Sequence, residues 1–280
     1  MKYKIEKNTV QETLIIPLYA RKVCSELYPN LYRDETAVRL IDEIDYDFSE
    51  AEKNSRGLMQ RFGSLEVAMR QNDLAFEVRD YLKSHPNAAV VNLGCGLDST
   101  GRSCDNGSCK IYNLDFPDVI AVRNELLPAG EREENIPCDL NNTEWFRKID
   151  SSSGAVFFAS GVFYYFLTEQ VKTLVQKMAD AFPGDVLVFD AANRAAVKMI
   201  AKTWLKSAKI KDVGAYFAVS DAKSELSLWD SRLQVTSRGY MLGYNDLKDP
   251  SVSRFFRFLA KVGDGMMKMQ IVKIRFGGKQ

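Results

Sequence analysis

The sequence predicts an α/β fold: a mostly parallel sheet with helices on both faces, preceded by a helical segment and interrupted late by a helical insertion. Three observations carry this. Short apolar runs alternate with helical stretches through the middle of the chain. The runs are apolar along their length, as strands covered on both faces are. Their ends carry a glycine turn or an acid, where open α/β sheets place their ligand chemistry.

Taken in order, Gln11–Leu31 and Glu35–Ile44 have helical spacing, and Leu65–Leu82 reads as a long helix stopped at His85-Pro86. Residues 1–86 are therefore expected to form an N-terminal helical cap, folded over the carboxyl edge of a core at 87–280. Ala88–Leu93 is the first strand, followed by Gly94-Cys95-Gly96. Lys110–Asp115 is the second. Asn135–Asp139 is the third, and its Pro137 suggests an edge position. Gly154–Ala159 is the fourth strand and Asp185–Asp190 the fifth. Between them Thr168–Phe182 carries Val171, Leu174, Val175, Met178 and Phe182 at helical spacing, with Thr168 as N-cap and Pro183-Gly184 as the stop. A helix-rich insertion follows at about 191–229. Leu233–Tyr240 and Met269–Phe276 are late strands at the sheet edge, one of them a candidate antiparallel strand. Phe255–Val262 is a short helix between them.

Composition narrows the function. At 280 residues, 46% hydrophobic and 27% charged, the chain is ordinary globular material, large enough for one sizeable core. Lys+Arg 38 against Asp+Glu 37 leaves net +1, so no strong overall field draws it to nucleic acid or membrane, and a small-molecule partner is the default. Five cysteines without a CxxC pair argue against a disulfide framework or a structural zinc site. The single histidine, His85, excludes a metal site built on two histidines. It precedes the first strand, at the end of the sheet away from the chemistry, so histidine-based catalysis is not expected. No metal is expected either. The uncharged stretch Ser151–Thr168 is broken by Ser160-Gly161 into pieces too short to span a bilayer. The charged opening Met1–Lys7 leads into no signal-peptide core. A cytoplasmic protein is expected.

Glycines after a buried strand permit a tight turn and close backbone approach to a ligand. The dinucleotide fingerprint asks for a third glycine, and Ser99 occupies that position. The turn thus favours a nucleoside without a pyrophosphate. Asp115, about twenty residues on, is suited to accept from both ribose hydroxyls, though a solvated strand-end acid is the alternative. Asp139 is suited to accept from an adenine amino group while Leu140 packs on the ring. Three successive strand ends bearing ligand-suited groups have the layout of an adenosine site.

Asn92-Leu93-Gly94-Cys95-Gly96-Leu97-Asp98, Asn113-Leu114-Asp115-Phe116-Pro117 and Cys138-Asp139-Leu140 resemble the leucine carboxyl methyltransferase family, which includes polyketide O-methyltransferases of the tetracenomycin type. Pro17-Leu18-Tyr19-Ala20-Arg21, Arg70, Ser160–Phe166 and Phe182-Pro183-Gly184 with Phe189-Asp190 extend the likeness. The resemblance implies a Rossmann-like class I fold with a seven-stranded sheet, S-adenosylmethionine as cofactor, and O-methyl transfer to a small molecule. It further implies that Arg70 and Arg21 bind the cofactor carboxylate and that Gly94 and Gly96 lie against its methionine part. Asp115, with Phe116 beside it, falls on the ribose, and Asp139 and Leu140 on the adenine. Tyr165 is the expected liner of the reaction centre. Tyr19, Tyr164, Tyr216, Phe217 and Trp229 are candidates for an acceptor pocket.

One departure concerns the cofactor site. The family's usual Glu-Gly-Val reads Ser160-Gly161-Val162 here, so a carboxylate suited to the cofactor amino group is missing, and Asp98 is a possible substitute. A protein C-terminal carboxyl acceptor, a non-catalytic S-adenosylmethionine-binding protein and an NAD-dependent oxidoreductase are the competing readings. The last lacks the third glycine and an evident proton relay.

Overall fold

A computed structural model describes residues 2–5, 10–55, 57–200, 214 and 216–278. The chain opens with β1 (Tyr3–Lys4), α1 (Val10–Leu27), α2 (Glu35–Glu43), β2 (Ile44–Asp45), α3 (Ser49–Ser55) and the long α4 (Leu58–Ser84). The two short strands pair in parallel. Helix α1 buries Leu14, Ile15 and Leu18 against Leu40 and Ile41 of α2 and against Val119 and Val122 farther along the chain. This apolar cluster anchors the N-terminal segment, because burying such side chains releases about 1.5–3 kcal/mol each.

The core follows as β3 (Ala89–Leu93), α5 (Thr100–Ser103), β4 (Lys110–Asp115), α6 (Pro117–Leu126), β5 (Glu133–Pro137), β6 (Ala155–Ala159), α7 (Thr168–Ala181) and β7 (Val186–Ala191). Next come α8 (Arg194–Ile200), α9 (Ala222–Leu226), β8 (Leu233–Gly239), α10 (Arg254–Gly265) and β9 (Gln270–Phe276). The expected seven-stranded sheet is present, in the order β5-β4-β3-β6-β7-β9-β8. All pairs from β5 to β7 are parallel, and β9 runs antiparallel to both β7 and β8. Alternate strand residues feed two cores: Val90, Val156, Phe158 and Val188 face α4, whereas Val91, Phe157, Leu187 and Phe189 face α7. A period of two with apolar residues on both phases is what makes these runs continuous in the sequence.

Boundaries moved where tertiary contacts overrode local signals. The third strand ends at Pro137, two residues before the expected Asp139. Helix α4 starts at Leu58 rather than Leu65, extended by packing of Phe62 edge-on against Phe256. Thr168 opens α7 as its first helical residue rather than as its cap; the amide oxygen of Gln170 accepts from the Leu167 N–H at 2.8 Å instead. Helix α3 was not foreseen, since SEAEKNS has no apolar periodicity. The expected insertion contains α8 and α9, and its residues 201–213 and 215 lie outside the described residues.

The chain runs from β3 outward to β4 and β5, then returns across β3 to start β6. Connections therefore leave β3 and β6 in opposite directions, which opens a crevice at their carboxyl ends.

Candidate active site

A cavity of about 410 Å³ fills that crevice. Its floor is the turn Gly94–Asp98 after β3, with Asp115 and Phe116 after β4 and Ser160–Val162 after β6. Its roof comes from α1 through Leu14, Pro17 and Arg21, and from α4 through Val67, Arg70 and Gln71.

Every backbone group of the glycine turn that has a partner is held from a defined direction. Gly94 has φ +68°, and a Cβ there would meet Val162 Cγ2 at 2.6 Å, so only glycine fits. The Gly94 and Cys95 N–H groups donate to the Leu114 carbonyl at 2.8 and 2.9 Å. Gly96 N–H donates to Asp115 Oδ2 and Phe116 N–H to Asp115 Oδ1, both at 2.8 Å. Burial pushes the Asp115 carboxyl above its ordinary pKa, opposed by these two donors. Arg123 of α6, fully buried, grips the turn from behind, donating to the carbonyls of Gly96 and Asp98 at 2.8 and 2.7 Å. Arg21 donates to the Leu97 carbonyl at 2.9 Å and to Asp34 Oδ2 at 2.9 Å. Asp98 is already occupied by Asn92, the Thr100 N–H and the Thr100 hydroxyl. That leaves it poorly placed to stand in for a missing carboxylate.

The opposite wall is charged. Arg70 Nη1 donates to Asp190 Oδ2 at 3.2 Å, and Asp190 Oδ1 accepts from the Gly161 N–H at 2.6 Å. Tyr164 also bonds to Asp190, while Glu66 accepts from Tyr240 at 3.0 Å. Burial opposes the charge of Arg70, but Asp190, Tyr240, Tyr164 and Glu66 outweigh it and hold the guanidinium firmly protonated. Two buried polar atoms on this wall lack a partner: Arg70 Nε and Ser160 Oγ. Both are suited to meet a polar ligand group. Tyr165 stands at the cavity with 44% of its surface exposed, and the surrounding protein raises its hydroxyl above the ordinary tyrosine value, so it remains a proton donor at neutral pH. Burial likewise pushes the Cys95 thiol up, which keeps it unreactive.

Of the residues singled out in the sequence, Arg21, Arg70, Gly94, Gly96, Asp115, Phe116, Ser160 and Tyr165 all line this cavity. Asp139 and Leu140 do not. The earlier end of β5 makes Asp139 an exposed turn residue accepting from Asn141, buries Leu140 in the core, and brings Asn141 to the cavity. Among the aromatic candidates, Tyr19 stacks on Phe48 on the far side of α1, Tyr164 backs Asp190, and Phe217 is core with Trp229 packed on it. Tyr216 is exposed outside the cavity. His85 caps the end of α4 and stacks on Tyr81 at 4.2 Å. Sequence reasoning missed Arg123 and the part played by Asp190. The signal for Arg123 was its place on the apolar face of α6 with Val119 and Leu126, where a charge requires partners. Among the described residues, no group of three or more His, Cys, Asp or Glu is arranged to hold a metal ion, and no helix is long and apolar enough to cross a membrane.

Residues 16–179 match the profile of the leucine carboxyl methyltransferase family. The chain is similar to the tetracenomycin polyketide synthesis O-methyltransferase TcmP of Streptomyces glaucescens, 27% identical over 65% of this chain and 66% of that one. It is also similar to the S-adenosyl-L-methionine-dependent methyltransferase dpfgK of Gibberella zeae, 26% identical over 65% of this chain and 64% of that one. The matches thus span slightly under two thirds of these relatives' lengths. In fold, the chain resembles a crystal structure described as a putative methyltransferase from Thermobifida fusca YX, with a TM-score of 0.56, 17% identity and coverage of 92% and 94%.

Proposed function

The chain belongs to the leucine carboxyl methyltransferase family, and from that premise we propose that it transfers a methyl group from S-adenosylmethionine to an oxygen of a small, polyketide-like molecule. The observation that supports this most directly is the joining of the glycine turn, Asp115 and an unpartnered edge of Arg70 around one cavity. These groups fit the cofactor. Arg70 offers a buried donor to a carboxylate, Asp115 keeps acceptor capacity for ribose hydroxyls, and Gly94 and Gly96 present bare backbone to the methionine part. Arg21 is a second cation on the same roof, steadied by Asp34. Adenine belongs beside Phe116 and Asn141, with Asn141 in the part expected for Asp139. Ser160 supplies a hydroxyl to the cofactor's amino acid end.

When bound, the cofactor supplies an activated methyl group on a sulfonium. What the chain adds is positioning and the exclusion of water, with the helices of residues 1–86 as the cap. Among the described residues that line the cavity none stands as a free general base: Tyr165 keeps its proton, Asp98 accepts from three donors and Asp115 from two backbone N–H groups. An acceptor that arrives ionised needs none. A carboxylate is therefore favoured over an aliphatic hydroxyl, and Tyr165 orients it by donating a hydrogen bond.

The test is transfer of labelled methyl from S-adenosylmethionine to a panel of aromatic carboxylic acids and phenols. Label released by mild alkali is expected, because an ester hydrolyses where an ether does not. Alkali-stable label would move the acceptor to a hydroxyl, and tight cofactor binding with no transfer to any acceptor would favour a non-catalytic protein.

A further inference from the structure

We infer that Asp190, which does not itself line the cavity, is the positioning residue that aims Arg70 at the carboxylate of the cofactor; this rests on the reading of the cavity as an S-adenosylmethionine site. Asp190 sits at the end of β7, one strand beyond those whose ends form the floor, and is 2% exposed. Its two oxygens join separate elements. Oδ1 holds the Gly161 N–H of the turn after β6 at 2.6 Å, and Oδ2 holds Arg70 Nη1 of α4 at 3.2 Å. Tyr164 adds a third donor.

Gly161 completes the dock. Its φ is +70°, and a Cβ there would meet Nη1 and Nη2 of Arg70 at 3.0 Å and Cζ at 3.1 Å. Approach to all three atoms at nearly one distance means that the flat face of the guanidinium lies over the glycine. Arg70 is thereby fixed in plane by Gly161 and in rotation by Asp190, with Nε left buried and unpartnered. An arginine is rotamer-rich, so ordering it before the ligand arrives strengthens binding. That ordering acts only on a ligand with a carboxylate to meet Arg70.

The test is a calorimetric comparison of S-adenosylmethionine with methylthioadenosine, which keeps the nucleoside and lacks the amino acid. In Asp190→Asn, affinity for S-adenosylmethionine is expected to fall about tenfold or more, with methylthioadenosine unchanged. Gly161→Ala, which disturbs the same dock from another element, is expected to reproduce that selective loss should Asp190→Asn fail to fold. Equal weakening of both ligands, or of neither, overturns the inference and makes Asp190 a structural residue. If the wild type binds neither ligand, the cofactor reading itself has failed, a result distinct from a failure of Asp190 alone.

Discussion

Arg123 and Asp115 illustrate two kinds of residue at the same turn. Asp115 was legible because it ends the strand after the glycine turn, about twenty residues on, and its place at the cavity follows from counting along β4. Arg123 bonds to Gly96 and Asp98, 27 and 25 residues away, and to Asn135 Oδ1 at 3.2 Å. Such pairings depend on how α6 docks, which no local pattern gives. Arg123→Met preserves the apolar packing and leaves two buried carbonyls unpaired. Unfolding in urea is expected to show a loss of about 2–5 kcal/mol; an unchanged midpoint would mean that the turn holds itself. Asp139 marks the opposite error, since a two-residue shift in the end of β5 passed its expected place to Asn141.

The connection from β8 to α10 is held by carboxyl groups rather than by apolar packing alone. Asp73 of α4 accepts from the Met241 N–H and from Asn245 Nδ2, each at 2.9 Å, and Asp264 of α10 accepts from the Leu242 N–H at 3.0 Å. Burial pushes Asp73 up to about 8 and Asp264 to about 7, and Asp185 at the start of β7 to about 6. Each holds its proton more tightly folded than unfolded, where a carboxyl titrates near 4. Folding therefore takes up protons between about pH 4 and 8, and this contribution to stability falls as pH rises across that window. Thermal midpoints measured over it are expected to decline, with Asp264→Asn flattening the decline below about pH 7; a midpoint that climbs through the window would contradict these shifts. The strands themselves were readable because apolar residues on both phases identify a doubly covered sheet. The connection was not, because its partners on α4 lie some 170 residues earlier in the chain.

At the scale of the molecule, function follows from the order of strands. The connections that leave the parallel strands β3 and β6 in opposite directions open the crevice, α1 and α4 roof it, and residues from 13 to 170 converge there. The sheet, its antiparallel strand, the glycine turn and Asp115 could be read from runs, turns and strand-end residues, whereas Arg21, Arg70, Ser160 and Tyr165 were reached through the family resemblance. The roof contacts could not be read, because the docking of α1 is set by an apolar cluster shared with α2 and α6. The most direct test is calorimetric titration of the wild type and Asp115→Ala with S-adenosylmethionine and, separately, with NAD. Wild type is expected to bind S-adenosylmethionine and not NAD, and Asp115→Ala to bind it about ten- to a hundredfold more weakly. Binding of NAD in place of S-adenosylmethionine, or full affinity in Asp115→Ala, would contradict the site described here.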